Sequence, residues 1–214
     1  MKGTLFVTGD VAIDKLVNTD PLALLIAMVL DQQVLLEKAF RGPFDLRQRL
    51  GVAKLDAAAL ADWDPDELIR AFVTPPALHR YPAAMAGRVQ QLCRLVVKQY
   101  GGRPDRIWRT AADGSELLGR VKALPGFGEQ KARIFVALLG KQLGVDVPGW
   151  REAATPFGEE GSHCSVADIT GPESLAKVRA YKQQMKAAAK AVAAGDGAKA
   201  GAGARVAKPA ARYP

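Results

Sequence analysis

Nine consecutive residues, Leu124-Pro125-Gly126-Phe127-Gly128-Glu129-Gln130-Lys131-Ala132, hold the clearest chemistry in the chain. They join two apolar-faced segments by a turn too tight for most side chains. Glycine has no Cβ, so Gly126 and Gly128 can take positive φ and let the backbone come close to a ligand. A helix starting at Glu129 opens with N–H groups that have no partner inside the helix. It also opens with the positive end of its dipole, and together these suit a phosphate. Lys131 adds a point charge one turn in. Contacts of this kind grip a nucleic-acid backbone without reading its sequence. Ordinary helix-helix turns carry similar Pro and Gly punctuation, so the hairpin alone leaves a purely structural role open.

Four aromatic side chains, Tyr81, Trp108, Phe127 and Trp150, have flat faces that can stack on an unstacked base. Core packing is the competing role for each of them. His79-Arg80-Tyr81, just after Pro75-Pro76, forms a polar and aromatic cluster. His163-Cys164 is the one His/Cys pair in sequence, and no second pair stands at metal-ligand spacing, so no metal is expected. No cofactor is expected either. The two cysteines, Cys93 and Cys164, do not make a disulfide scaffold.

The elements that must position these residues read as helices. Asp20-Pro21 is a natural cap and first helical residue. The apolar run Leu22 to Leu30 that follows is apolar nearly all round, as a central buried helix should be. It breaks at Asp31-Gln32-Gln33, resumes through Val34-Leu35-Leu36 and is expected to end at Arg41-Gly42-Pro43. Shorter helices are expected over Phe44 to Leu50, Asp56 to Ala61 and from Asp64-Pro65 to Arg70, with a break at Thr74-Pro75-Pro76. Tyr81 to Tyr100 is a long amphipathic helix with Met85, Val89, Leu92, Val96 and Val97 near helical spacing, closed by Gly101-Gly102. Helices at Ser115 to Ala123 and Glu129 to Leu143 flank the hairpin. The pattern then weakens until a helix over Glu173 to Ala194, rich in Ala, Lys and Gln. Before all of these, Thr4 to Thr8 reads as a brief extended piece and Asp10 to Leu16 as one or two helical turns. The expected class is all-α.

The chain has 214 residues and a formal net charge of +8. That charge suggests a polyanionic partner, but its position tempers the inference. From Ala176 onward there are nine Lys and Arg against one Asp, and the rest of the chain balances 21 basic with 21 acidic residues. Lys182, Lys186 and Lys190 fall four apart on one helix face, which is ordinarily a solvated face. As a DNA arm it would add salt-sensitive, sequence-blind affinity. Residues 195–214 have little to bury and are expected to be a disordered basic tail. The longest apolar stretch, Leu22 to Leu30, is too short to cross a bilayer, and no secretory leader pattern opens the chain. A cytoplasmic, nucleoid-associated protein with no membrane partner is expected.

The hairpin resembles that of the helix-hairpin-helix superfamily of base-excision DNA glycosylases, which includes endonuclease III, the adenine glycosylase of mismatch repair and alkyladenine-type enzymes. The likeness extends to Leu24-Leu25-Ile26-Ala27-Met28-Val29-Leu30-Asp31-Gln32-Gln33, similar to the buried early helix and Gln-bearing segment of that family. It includes the long helix from Ala83 to Tyr100 and the Gly101-Gly102 turn, covering about Pro21 to Leu143. The resemblance implies an all-α, two-lobed fold with a DNA-binding cleft between lobes. One lobe would span residues 14–143, with the hairpin motif at 115–140. The other would combine residues 1–13 and 144–194.

The resemblance also assigns roles. Gln33 aligns with the Gln that enters the base stack as a base is flipped; a flexible amide can fill the hole and bond the orphaned partner. Gly126, Phe127, Gly128, Gln130 and Lys131 fall in the family's DNA-contacting hairpin, and His79 and Tyr81 where the family often shapes its base pocket; Trp150, a stacking aromatic near Asp146, is added to that pocket for its own chemistry. Asp146 is the nearest candidate for the carboxylate that stabilises positive charge on the sugar as the N-glycosidic bond breaks. A gapless alignment puts Pro148 at that position and Asp146 two residues early. Glu152, Glu159 and Asp168 are fallback carboxylates. Members that also cut the strand carry a Lys where this chain has Gln130, so no Schiff-base amine is expected there. The iron–sulfur loop of some members needs four cysteines, more than the two present. The expected function is therefore that of a monofunctional glycosylase, acting as a monomer on double-stranded DNA with a damaged or mismatched base. A DNA-binding protein on the same fold without glycosidic cleavage is the alternative, and a helical protein-interaction module a third reading.

Overall fold

The computed structural model describes residues 3–201, with side chains to residue 188. Eleven α-helices and one 3-10 turn make up its regular structure, and no strand occurs among the described residues. The helices are α1 (Val11–Thr19), α2 (Pro21–Leu30), α3 (Leu36–Arg49), α4 (Ala57–Asp62), α5 (Pro65–Val73) and α6 (Pro82–Tyr100). They continue with α7 (Arg106–Arg109), α8 (Gly114–Lys122), α9 (Glu129–Gln142), α10 (Trp150–Ala153), the 3-10 turn Val166–Asp168 and α11 (Pro172–Gly201). The all-α class is observed. No helix among the described residues is long and apolar enough to cross a membrane.

The chain forms two compact units, Met1–Val178 and Arg179–Pro214. The first contains the core, and α2 lies at its centre. Asp20 caps α2, accepting from the amides of Leu22 and Ala23 at 2.9 and 3.2 Å, and Pro21 takes the first helical position. Every residue from Leu22 to Leu30 is buried, as an all-round apolar helix requires. Helices α1, α3 and α6 pack around α2, while α4 and α5 pack on α6. The Met85, Val89, Leu92 and Val96 face of α6 turns inward, and Val97 is exposed. Helices α8 and α9 pack as an antiparallel pair joined by the hairpin; α10 lies against both and the 3-10 turn against α9.

The sequence expectation fails at Arg41-Gly42-Pro43. Helix α3 runs unbroken through Pro43 to Arg49, absorbing the helix expected separately over Phe44 to Leu50. Gly42 serves close packing here: a Cβ on it would stand 2.3 Å from Leu30 Cδ1. Both Gly42 and Pro43 are buried. Packing against α2 therefore outweighs the hydrogen bond that Pro43 removes from the ladder. The segment Thr4 to Thr8, expected as a brief extended piece, forms no helix and pairs into no sheet among the described residues, and Leu5 and Val7 are buried. Helices α7 and α10 and the 3-10 turn had no clear periodic signature; each is four residues or shorter.

The second unit contains the continuation of α11. The helix runs to Gly201, beyond the expected end at Ala194, with Lys182 and Lys186 exposed. The remainder of the expected disordered tail, residues 202–214, lies outside the described residues, as does the side chain of Lys190.

Candidate nucleic-acid interface

The chain turns sharply where α2 stops. Asp31 has φ −72° and ψ 68°, and Gln32 N–H bonds back to Leu30 C=O at 2.7 Å, an inverse γ-turn. Gln33 follows at φ +54°, the one non-glycine residue in left-handed backbone among the described residues. That conformation costs a side-chain-bearing residue free energy, so the surroundings must impose it. The hydrogen bonds around Gln32 do so. Its Nε2 donates to Val29 C=O at 2.7 Å, and its Oε1 accepts from Arg88 Nη1 at 3.0 Å. Its carbonyl lies 2.8 Å from His79 Nε2. Gln33 itself is exposed and makes no hydrogen bond among the described residues. Two residues on, Leu35 is 76% exposed.

The hairpin lies directly against this turn. Gly126 takes φ +87°, and a Cβ there would meet Arg88 Cδ at 2.8 Å and Gln32 Nε2 at 3.5 Å. Gly128 differs from expectation. Its φ is −84°, and a Cβ on it would meet nothing within 4 Å. No side chain caps α9, and the amides of Glu129, Gln130 and Lys131 have no protein partner among the described residues. Glu129 and Gln130 are exposed. A carboxylate on the first residue of α9 would repel a phosphate. Lys122 and Arg133 both pair with Glu129, and their hydrogen bonds hold its pKa below the usual range.

Two hairpin residues expected at DNA face inward instead. Phe127 is buried, its ring 5.6 Å from that of Phe135. Lys131 directs its amine at Met28 C=O, 2.8 Å away, with the Phe127 ring at 6.0 Å. Burial pulls the Lys131 pKa down to about 8, with Asp31 acting in the other direction.

His79 is buried, and Tyr81 beside it is half exposed under the Arg80 guanidinium. His79 Nδ1 accepts from Tyr81 N–H at 2.9 Å, so the proton sits on Nε2 and is donated to Gln32 C=O. Both ring nitrogens are thus occupied by backbone, and burial depresses the imidazole pKa. The ring holds the Gln turn in place.

Asp146 and Trp150 lie elsewhere. Helix α9 rises for 14 residues, about 20 Å, from the hairpin to its far end. There the chain reverses at Gly144, and Pro148 C=O accepts from Gly114 N–H at 2.7 Å, at the N-terminus of α8. Asp146, between these points, stands at the end of the α8–α9 pair opposite the hairpin. It is exposed, with no hydrogen bond or ion pair among the described residues. Trp150 is buried against Gly140, where a Cβ would fall 2.4 Å from its ring, and the Arg151 guanidinium covers it at 4.6 Å.

Among the fallback carboxylates, Glu152 and Glu159 are exposed. Asp168 is a structural cap, bonded to Lys141 Nζ at 2.7 Å, Ser162 Oγ at 3.0 Å and the amides of Cys164 and Ser165 at 3.0 Å. No group of His, Cys, Asp and Glu among the described residues is arranged to hold a metal ion.

The structure thus brings Gln33, His79, Tyr81 and residues 126–131 to one region and leaves Asp146 and Trp150 at another. It adds Arg88 and Gln32, which sequence reasoning had not assigned. A charged residue within the apolar spacing of α6 was the one available signal for Arg88. No protein-family model matches the chain, and neither a curated protein nor a solved structure matches it.

Proposed function

We propose that the chain is a base-excision DNA glycosylase of the helix-hairpin-helix kind, binding double-stranded DNA at a damaged or mismatched base. The observation that carries this reading is the pairing of two features in one place. Gln33 is exposed in left-handed backbone held by part-buried hydrogen bonds, and it stands beside an uncapped helix N-terminus. The three free amides of α9 offer a phosphate the contacts it needs. Gln33 is then positioned to enter the stack and fill the space of an extruded base. Leu35, exposed two residues on, supplies apolar surface next to the same stack. The reading carries with it a two-lobed helical architecture with the DNA in the cleft, and action as a monomer.

Hydrolysis of the N-glycosidic bond requires a carboxylate near the sugar, and Asp146 is the residue proposed for it. Gln130 has no amine, and the Lys131 amine is engaged by Met28, so the proposed enzyme releases the base without forming a Schiff base. The position of Asp146, at the end of α8–α9 opposite the hairpin, favours a second reading. In it the protein recognises and distorts DNA without cleaving the glycosidic bond.

One experiment separates them. Base release is measured from duplexes carrying uracil, alkylated purines, oxidised bases or mismatches, with strand scission by alkali afterwards and Asp146→Asn in parallel. Release that depends on Asp146 supports the enzyme as proposed. Release that survives Asp146→Asn moves the catalytic role to another residue. No release on any duplex, with salt-dependent binding intact, leaves the second reading. Absence of binding overturns both.

A further inference from the structure

Helix α2 is buried on every side, so the carbonyls at its end cannot turn to water and must be paired within the protein. Ala27 C=O accepts from Asp31 N–H at 3.0 Å. Beyond it, Val29 C=O takes Gln32 Nε2 and Leu30 C=O takes Gln32 N–H, each at 2.7 Å. Those partners come from the turn itself. The Met28 carbonyl is paired from 103 residues away, by Lys131 Nζ on α9.

Lys131 is an unusual donor for its place. It is the third residue of α9, at the positive end of that helix's own dipole, where a cation is disfavoured. Burial disfavours its charge further, holding its pKa near 8. A lysine serving only to meet phosphate would extend outward from this first turn. The side chain instead crosses to the negative end of α2, where the helix dipole favours a cation and the Met28 carbonyl accepts from it. Arg88 makes a parallel connection: its Nη1 bonds Gln32 Oε1 while its Cδ borders Gly126 of the hairpin.

We propose that Lys131 is a positioning residue for Gln33, tying the hairpin to the end of α2 so that the phosphate held by α9 sets where the Gln33 side chain enters DNA. The inference rests on the wedge role proposed for Gln33. Lys131 acts through the Met28 carbonyl and Arg88 through the Gln32 side chain. The backbone grip and the wedge are then one mechanical unit, although they lie about a hundred residues apart in sequence.

The test uses the full chain and a duplex with a single mismatched 2-aminopurine, whose fluorescence rises on unstacking. At saturating protein, Lys131→Met should lower the fluorescence rise at least fivefold, and Lys131→Arg should restore more than half of it. Amide exchange of residues 31–35 in the free protein should accelerate at least tenfold in Lys131→Met, with exchange in α5 unchanged. Should Lys131→Met fail to fold, Arg88→Met cuts the other tie and is held to the same two readouts. The proposal is overturned if the saturating fluorescence rise is kept while affinity falls and the salt slope drops by about 0.9, the signature of one lost phosphate contact. Unchanged exchange at residues 31–35 also overturns it. Gln33→Ala reports on the wedge separately: if it keeps the full fluorescence rise, the wedge reading fails, while the exchange result still decides the tie.

Discussion

His79 Nε2 lies 2.8 Å from the carbonyl of Gln32, 47 residues away in the chain. The imidazole is buried and its Nδ1 is already an acceptor for Tyr81 N–H, so it serves only as the neutral ring. Replacing it by Ala leaves the Gln32 carbonyl without its donor and opens space beneath the turn. We expect a loss of about 1 to 3 kcal/mol, and faster amide exchange at Gln33, read by urea unfolding and hydrogen exchange.

The same ring predicts an acid sensitivity. Burial depresses the folded-state pKa of His79 below its ordinary 6.5, so the folded state prefers the neutral form. The stability it contributes is complete above 6.5 and is lost as pH falls from there through the folded-state pKa. Urea midpoints measured from pH 7.5 downward should fall more steeply in the wild type than in His79→Gln. Parallel curves would show that the ring does not titrate as its burial requires.

Lys131 has the same sign in a higher pH window. Its folded-state pKa of about 8 lies below the ordinary 10.5. Between those values the unfolded chain holds more protons, so this group makes stability rise with pH across that range. Subtracting the profile of Lys131→Met from that of the wild type should isolate the rise. Side-chain NMR should place the titration near 8, and a midpoint at the ordinary lysine value would show an amine exposed to water rather than buried at Met28.

The two hairpin glycines should respond differently. Gly126→Ala forces a side chain into left-handed backbone and against Arg88, with an expected cost of about 1 to 3 kcal/mol. Gly128→Ala enters open space at φ −84° and should stay within about 0.5 kcal/mol. Denaturant unfolding checks both, and equal costs would contradict the hairpin geometry.

Asp168→Ala removes one member of a largely buried ion pair with Lys141 and the Asp168 half of the capping box, leaving Ser165 as N-cap of the 3-10 turn. Breaking such a pair costs about 3 kcal/mol or more. Glu152→Gln and Glu159→Gln, at exposed positions, should each shift stability by less than about 0.5 kcal/mol. A stable Asp168→Ala variant would remove the structural role given to that carboxylate.

Local signals in the sequence were enough to place several elements. Asp20-Pro21 before an all-apolar run specified α2 and its burial, because cap, proline and periodicity act within one or two turns. Leu124-Pro125-Gly126 located the hairpin, because a tight reversal needs a residue tolerant of positive φ. The apolar spacing of α6 located its buried face. Where side chains pointed was settled by tertiary contacts. Gly42 and Pro43 read as a stop, yet α3 continues through them because Leu30 of another helix packs where a side chain would be. Phe127 and Lys131 sat in a motif suited to DNA, yet one ring joins Phe135 and the amine reaches Met28. His79 was drawn to the Gln turn by a carbonyl 47 residues earlier, and Asp146 was carried to the far end of the α8–α9 pair by the length of α9. Spacing along a chain specifies which way a helix face turns. It cannot specify which distant carbonyl will lack a partner, and here that demand determined the arrangement around Gln33.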